Sequence, residues 1–171
     1  SQNHNPQDIK NVYFAESAYD IMAFYQANKA RLQAELDQSV FVSIGGTFSN
    51  QQVGGIMNYY ANARAVDCFD NDVPGRIYGM RMVSVVEKVP LNIVQTDDAI
   101  RVSHNGQEHQ LDPQKATLNS LRSFIRFKRE FGVEKAPTAY KDWNDVVMNK
   151  PSTVILTKSK YEREDNLREK R

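Results

Sequence analysis

At 171 residues, with 40% hydrophobic and 25% charged side chains, the chain has the make-up of an ordinary soluble domain able to bury one substantial core. A net charge of +1 excludes a globally basic nucleic-acid binder, so any such surface must come from local clustering. The single cysteine, Cys68, excludes an internal disulfide framework and fits a reducing, cytoplasmic setting. No apolar run approaches the roughly 20 residues needed to span a bilayer, which excludes a membrane partner, and the amino terminus does not resemble a signal peptide. Opening on Ser1 rather than methionine, the chain reads as an excised domain of a larger protein, with residues 1–11 a polar lead-in.

The elements predicted in chain order begin with a short buried strand, Val12–Ala15. A helix over Ser17–Leu36 follows, with Ala18, Ile21, Met22 and Tyr25 at inward spacing and Lys29, Arg31 and Glu35 outward. Val40–Ile44 is a second strand, closed by Gly45-Gly46-Thr47. The next helix starts near Ser49, which with Gln52 suits a capping box, and turns Val53, Ile56, Met57 and Tyr60 inward. Ala65–Phe69 is the third strand, and Pro74 opens a helix with Tyr78, Met82 and Val85 on one face. This alternation predicts βαβ units and a parallel sheet.

After Val89 the pattern changes. Leu91–Val94 reads as a strand and Ile100–Leu111 as a hairpin about Asn105-Gly106, a dipeptide suited to the positive φ angles of a type I′ turn. Asp112-Pro113 opens a helix with Leu118, Leu121 and Ile125 inward, closing at Phe131-Gly132. On that helix Arg122, Arg126 and Arg129, at i, i+4 and i+7, form a basic stripe able to track a nucleic-acid backbone, or simply a solvated face. Asp142 caps a short helix reaching Met148, and residues 151–171 are a charged extension.

Acidic residues recur where the apolar runs end: Glu16 and Asp20 after the first, Asp70 and Asp72 after the third, and Asp142 with Asp145 late in the chain. Carboxylates at the carboxyl ends of parallel strands face the crevice where open α/β sheets bind ligands. Gathered there they need a cation, and an all-oxygen donor set suits Mg²⁺ or Mn²⁺. Each acid also has a plainer reading: Asp72 and Asp142 as helix caps, Asp20 as a first-turn acid favoured by the helix dipole. Gly45-Gly46-Thr47 suits a phosphate cradle of backbone N–H groups or, equally, a tight strand-to-helix turn.

The order Glu16-Ser17-Ala18-Tyr19-Asp20, Ser43-Ile44-Gly45-Gly46-Thr47 and Asp70-Asn71-Asp72-Val73-Pro74-Gly75 resembles the Toprim domain shared by topoisomerases and bacterial primases. Ser17 stands where the primases usually have glycine, and Lys141-Asp142 resembles the basic-acidic pair that often closes the domain. The resemblance implies a Rossmann-like α/β domain over residues 12–150, a parallel sheet flanked by helices with an inserted hairpin and helix at about 90–135. It further implies Glu16 as general acid or base, Mg²⁺ (or Mn²⁺) held by Asp70 and Asp72 with Asp20 and Asp142 in support, and phosphate contacts from Gly45, Gly46, Thr47 and Lys141. On an extended segment two aspartates one residue apart point the same way, so both reach one cation. The closing motif is similar in flavour to Toprim proteins of mobile elements, which implies primase-like nucleotidyl transfer on DNA or RNA within a replication or mobilisation protein. A Toprim-fold nuclease and a non-catalytic binding scaffold are the competing readings.

Overall fold

A computed structural model describes residues 5–152, so the charged extension expected over 151–171 lies almost wholly outside the described residues. The chain runs through Asn11–Ala15 (β1), Ala18–Leu32 (α1), Ser39–Ser43 (β2), Asn50–Tyr59 (α2), Arg64–Asp67 (β3) and Val73–Glu87 (α3). It continues with Asn92–Gln95 (β4), Ile100–His104 (β5), Gln107–Leu111 (β6), Leu118–Arg122 (α4), Phe131–Val133 (β7) and Trp143–Val147 (α5). Four strands form a parallel sheet in the order β2-β1-β3-β7, while β4, β5 and β6 form a separate antiparallel sheet. The fold is thus the α/β, Toprim-like arrangement expected.

β1 is buried along its whole length because it lies inside the sheet, with Val12 beside Val40 on one edge and Ala65 on the other. The period-two alternation of a strand sends Val12 and Phe14 to one face and Tyr13 and Ala15 to the other. α2 and α3 cover the first face through Val53, Met57, Met80 and Val83. α1 and α5 cover the second, where the Phe24 ring meets Trp143 edge-on at 5.2 Å. Among the described residues, no helix is long and apolar enough to cross a membrane.

Local signals set most boundaries. Ser17 caps α1 by accepting from the Asp20 N–H, and Ser49 caps α2 by accepting from Gln52 at 3.3 Å. α1 stops at Leu32 and tightens into a 3-10 turn over Gln33–Gln38, short of the Leu36 expected. Met22, expected inward, is 60% exposed, because the buried stripe runs through Ile21, Ala23 and Phe24 instead. The hairpin forms as expected: Asn105 and Gly106 take φ of 50° and 78°, with Ile100 opposite Leu111 and Val102 opposite His109.

One element differs in kind. The helix expected from Asp112-Pro113 to Phe131-Gly132 survives only as α4, and Phe131–Val133 is the fourth strand of the main sheet. Buried Glu87, in the last turn of α3, holds the chain on its way into the sheet. Its carboxylate accepts from the backbone N–H groups of Lys128 at 3.0 Å and Arg129 at 2.7 Å, just ahead of β7. Gly132 then lies so close to Val66 that a β-carbon there would press on both of its methyl groups.

Candidate metal centre

A parallel sheet puts all its carboxyl ends on one edge, and the acids that follow β1 and β3 meet there. Asp20 is brought in by the first turn of α1 and is 7% exposed, its carboxylate held by the Ser17 hydroxyl. Asp70 follows β3 and is 5% exposed. Asp142 arrives from the far end of the chain as the N-cap of α5, accepting from the Asp145 N–H at 2.7 Å. Each of the three can bring one carboxylate oxygen within 4.8 Å of the others.

Asp72 stands outside this triad. Its Oδ1 caps α3 by accepting from Gly75 at 2.9 Å, and its Oδ2 lies 3.3 Å from the Lys141 ammonium. Asp70 Oδ2 lies 3.2 Å from the same ammonium. The two aspartates do reach one cation, as their spacing predicted, but that cation is Lys141. The strand ends at Asp67, so residues 68–72 are not extended throughout and the alternation argument does not carry both carboxylates to the triad.

Electrostatics follow from this crowding. Burial pushes the Asp70 carboxyl up to about 7, against the pull of its hydrogen bond from Lys141. Burial also raises Glu16, helped by the charges of Asp72, Asp20 and Asp142 and opposed by Lys141. Burial alone would lower the Lys141 ammonium, but the hydrogen bond and charge of Asp70, with the charge of Asp72, outweigh that and hold it above its ordinary value. Asp70 Oδ1 is buried and has no hydrogen-bond partner. An unpaired buried carboxylate oxygen on a residue grouped with two further carboxylates fits an oxygen-seeking divalent ion. The donor chemistry therefore fits Mg²⁺ or Mn²⁺, with Asp20, Asp70 and Asp142 as the residues that would hold it.

Residues outside the triad position this centre. Asn71, between the two aspartates, donates from Nδ2 to the carbonyls of Ala136 at 2.9 Å and Tyr140 at 2.8 Å, and from its backbone N–H to Lys141 at 2.7 Å. It fastens the loop that delivers Lys141 and Asp142. Gly75 is needed because a β-carbon there would collide with the backbone of Asp70. Lys135 pins the end of β3, 2.6 Å from Asp67 Oδ1 and 2.9 Å from the Phe69 carbonyl. Sequence reading passed over Asn71, Lys135 and Asp67. The signal for the last pair was Asp67 itself, a charge inside an apolar strand, which demands a partner.

The other expected contacts fall elsewhere. Gly45 and Gly46 take φ of 73° and 83°, and their N–H groups are already given to Ser43 Oγ and the Glu16 carbonyl. The tight turn accounts for these glycines and takes up their two N–H groups; Thr47 beside them is exposed. The arginine stripe does not exist either, because α4 ends at Arg122. Arg122 stacks its guanidinium on Phe127 at 5.2 Å, Arg126 is exposed, and Arg129 lines a recess with Lys10, Asn11 and Arg64 at the opposite edge of the sheet.

A family model described as Toprim-like matches residues 13–108, more than half of the chain. The match spans Glu16, Asp20, Asp70 and Asp72 and stops short of Lys141 and Asp142. No curated protein and no solved structure matches the chain. Toprim domains bind divalent metals through acidic residues and act on nucleic acids. On the extent of that match, and with acids from the matched stretch meeting at one sheet edge, the chain belongs to the Toprim-like family.

Proposed function

We propose that the chain is the catalytic module of a Mg²⁺- or Mn²⁺-dependent enzyme acting on nucleic-acid phosphodiesters, with primase-like nucleotidyl transfer as the reaction. The observation that carries the reading is the convergence of Asp20, Asp70 and Asp142, one of which, Asp70, keeps a buried carboxylate oxygen without a partner. The primase-like part rests on the resemblance of the Glu16–Asp20 and Asp70–Gly75 motifs, and other domains of a replication or mobilisation protein would supply the rest of the machinery.

A divalent ion bound there would polarise a phosphoryl oxygen and orient the attacking one. The residues of the chain supply the rest. Asp20, Asp70 and Asp142 present the binding oxygens, and the Ser17 hydroxyl fixes the orientation of Asp20. Glu16, with its carboxyl raised by burial and neighbouring acids, holds a proton more readily than an ordinary glutamate, the direction a general acid requires. Lys141 places a positive charge beside the site, and a half-exposed ammonium there is available to a phosphate.

The test is synthesis on a single-stranded template with nucleoside triphosphates and Mn²⁺, parent beside Glu16→Gln and Asp70→Asn. The parent should build oligonucleotides. Asp70→Asn should lose more than about 100-fold in rate, and Glu16→Gln about 10²–10⁴-fold with metal binding kept. Shortening of a labelled strand instead would assign a nuclease. Neither reaction, with nucleic acid still bound, would assign a scaffold.

A further inference from the structure

Asp70 divides its two oxygens between two neighbourhoods. Oδ1 is buried and unpartnered, Oδ2 lies 3.2 Å from the Lys141 ammonium, and one of the two carboxylate oxygens lies within 4.8 Å of one from each of Asp20 and Asp142. Asp72 Oδ2 lies 3.3 Å from the same ammonium. A carboxylate bridging two cations, with further carboxylates on either side, is the geometry by which paired divalent ions about 3.5–4 Å apart are held in phosphoryl-transfer sites. Here one of the two places has a side chain in it.

We infer that the Lys141 ammonium is a built-in cation filling the seat of a second metal ion, so that this chain takes one divalent ion where its carboxylates have room for two. The inference rests on the metal reading of the triad proposed above. The placement of Lys141 is fixed through its backbone, since its carbonyl accepts from Asn71, the residue between the two aspartates, at 2.7 Å. The pair joins a half-exposed ammonium to a buried carboxylate, with side-chain exposures of 50% and 6%. Local charge gives the ammonium a reason to be there. Glu16, Asp20, Asp70, Asp72 and Asp142 crowd one edge, and when all are ionised an ammonium offsets one of the three negative charges that a single divalent ion would leave.

The experiment is equilibrium dialysis of the full chain against Mn²⁺, counting ions by elemental analysis and reading their coupling by electron paramagnetic resonance. The parent should bind one uncoupled ion. Lys141→Met should bind two with a spin-coupled spectrum, Lys141→Met with Asp72→Asn should return to one, and Lys141→Arg, which keeps the charge, should stay at one. Two coupled ions in the parent, or one in a folded Lys141→Met, overturn the inference while leaving the metal reading intact. No ion in parent or variant overturns that reading and this inference with it. The parent count stands whether or not Lys141→Met folds.

Discussion

At the scale of single residues, Asp70 carries a carboxyl whose ordinary value of 3.8 is raised to about 7 by burial. An acid whose folded value lies above its unfolded one binds its proton more tightly when folded. Its contribution to stability is then full below about pH 3.8 and is lost as pH rises through about 7. Metal-free parent should therefore lose stability from pH 5 to pH 8, and Asp70→Asn, which has no proton to give up, should show a flatter profile. Urea unfolding of both proteins across that range checks it. Because the ion needs the deprotonated carboxylate, Mn²⁺ affinity of the parent should climb over the same window.

At the scale of elements, the site depends on a loop and a helix meeting a strand end. Asn71 is the fastening. Asn71→Ala removes the donor from the Ala136 and Tyr140 carbonyls, which should cost about 1–3 kcal/mol in urea unfolding. Mn²⁺ affinity should fall further than that loss implies, because Asp142 travels on the same loop; a stable variant that binds Mn²⁺ like the parent would show that the loop is held some other way. The elements also show what a sequence can and cannot reveal. β1, α2, β3, α3 and the hairpin were legible because each carries a local signal: an apolar run, Ser49, Asp72 with Pro74, Asn105-Gly106. β7 was not. Its three residues have no strand signature, and what makes them a strand is pairing with β3, distant in the chain, with the approach held by the Glu87 carboxylate. The arginine stripe failed with it, since it presumed a helix that tertiary contacts had ended.

Across the whole molecule, the acids at the strand ends were legible as a set, while their division of labour was not. Order along the chain pointed to Asp70 and Asp72 as a pair; the fold instead groups Asp70 with Asp20 and Asp142, residues that meet only when helices on one face of the sheet are in place. An ion that binds only this assembled state must stabilise it. At a Mn²⁺ concentration a hundred times its dissociation constant, the gain should be about 2.7 kcal/mol. Thermal melting should show the parent rising with Mn²⁺ and Asp70→Asn unmoved, and equal shifts in both would place the ion elsewhere.

The two hydrogen bonds that Glu87 accepts have a consequence for where such a chain can grow. Residues 88–127, which carry the antiparallel sheet and α4, begin just after Glu87 and end at the two backbone amides that donate to it. Between those points Ile100, Val102, Leu118 and Leu121 pack into the same core as β1 and α3, while the hairpin turn at Asn105-Gly106 is exposed. Lengthening a loop costs entropy only logarithmically, about 0.6 kcal/mol per doubling. Extra residues at that turn would therefore leave the packed strands and the parallel sheet unmoved.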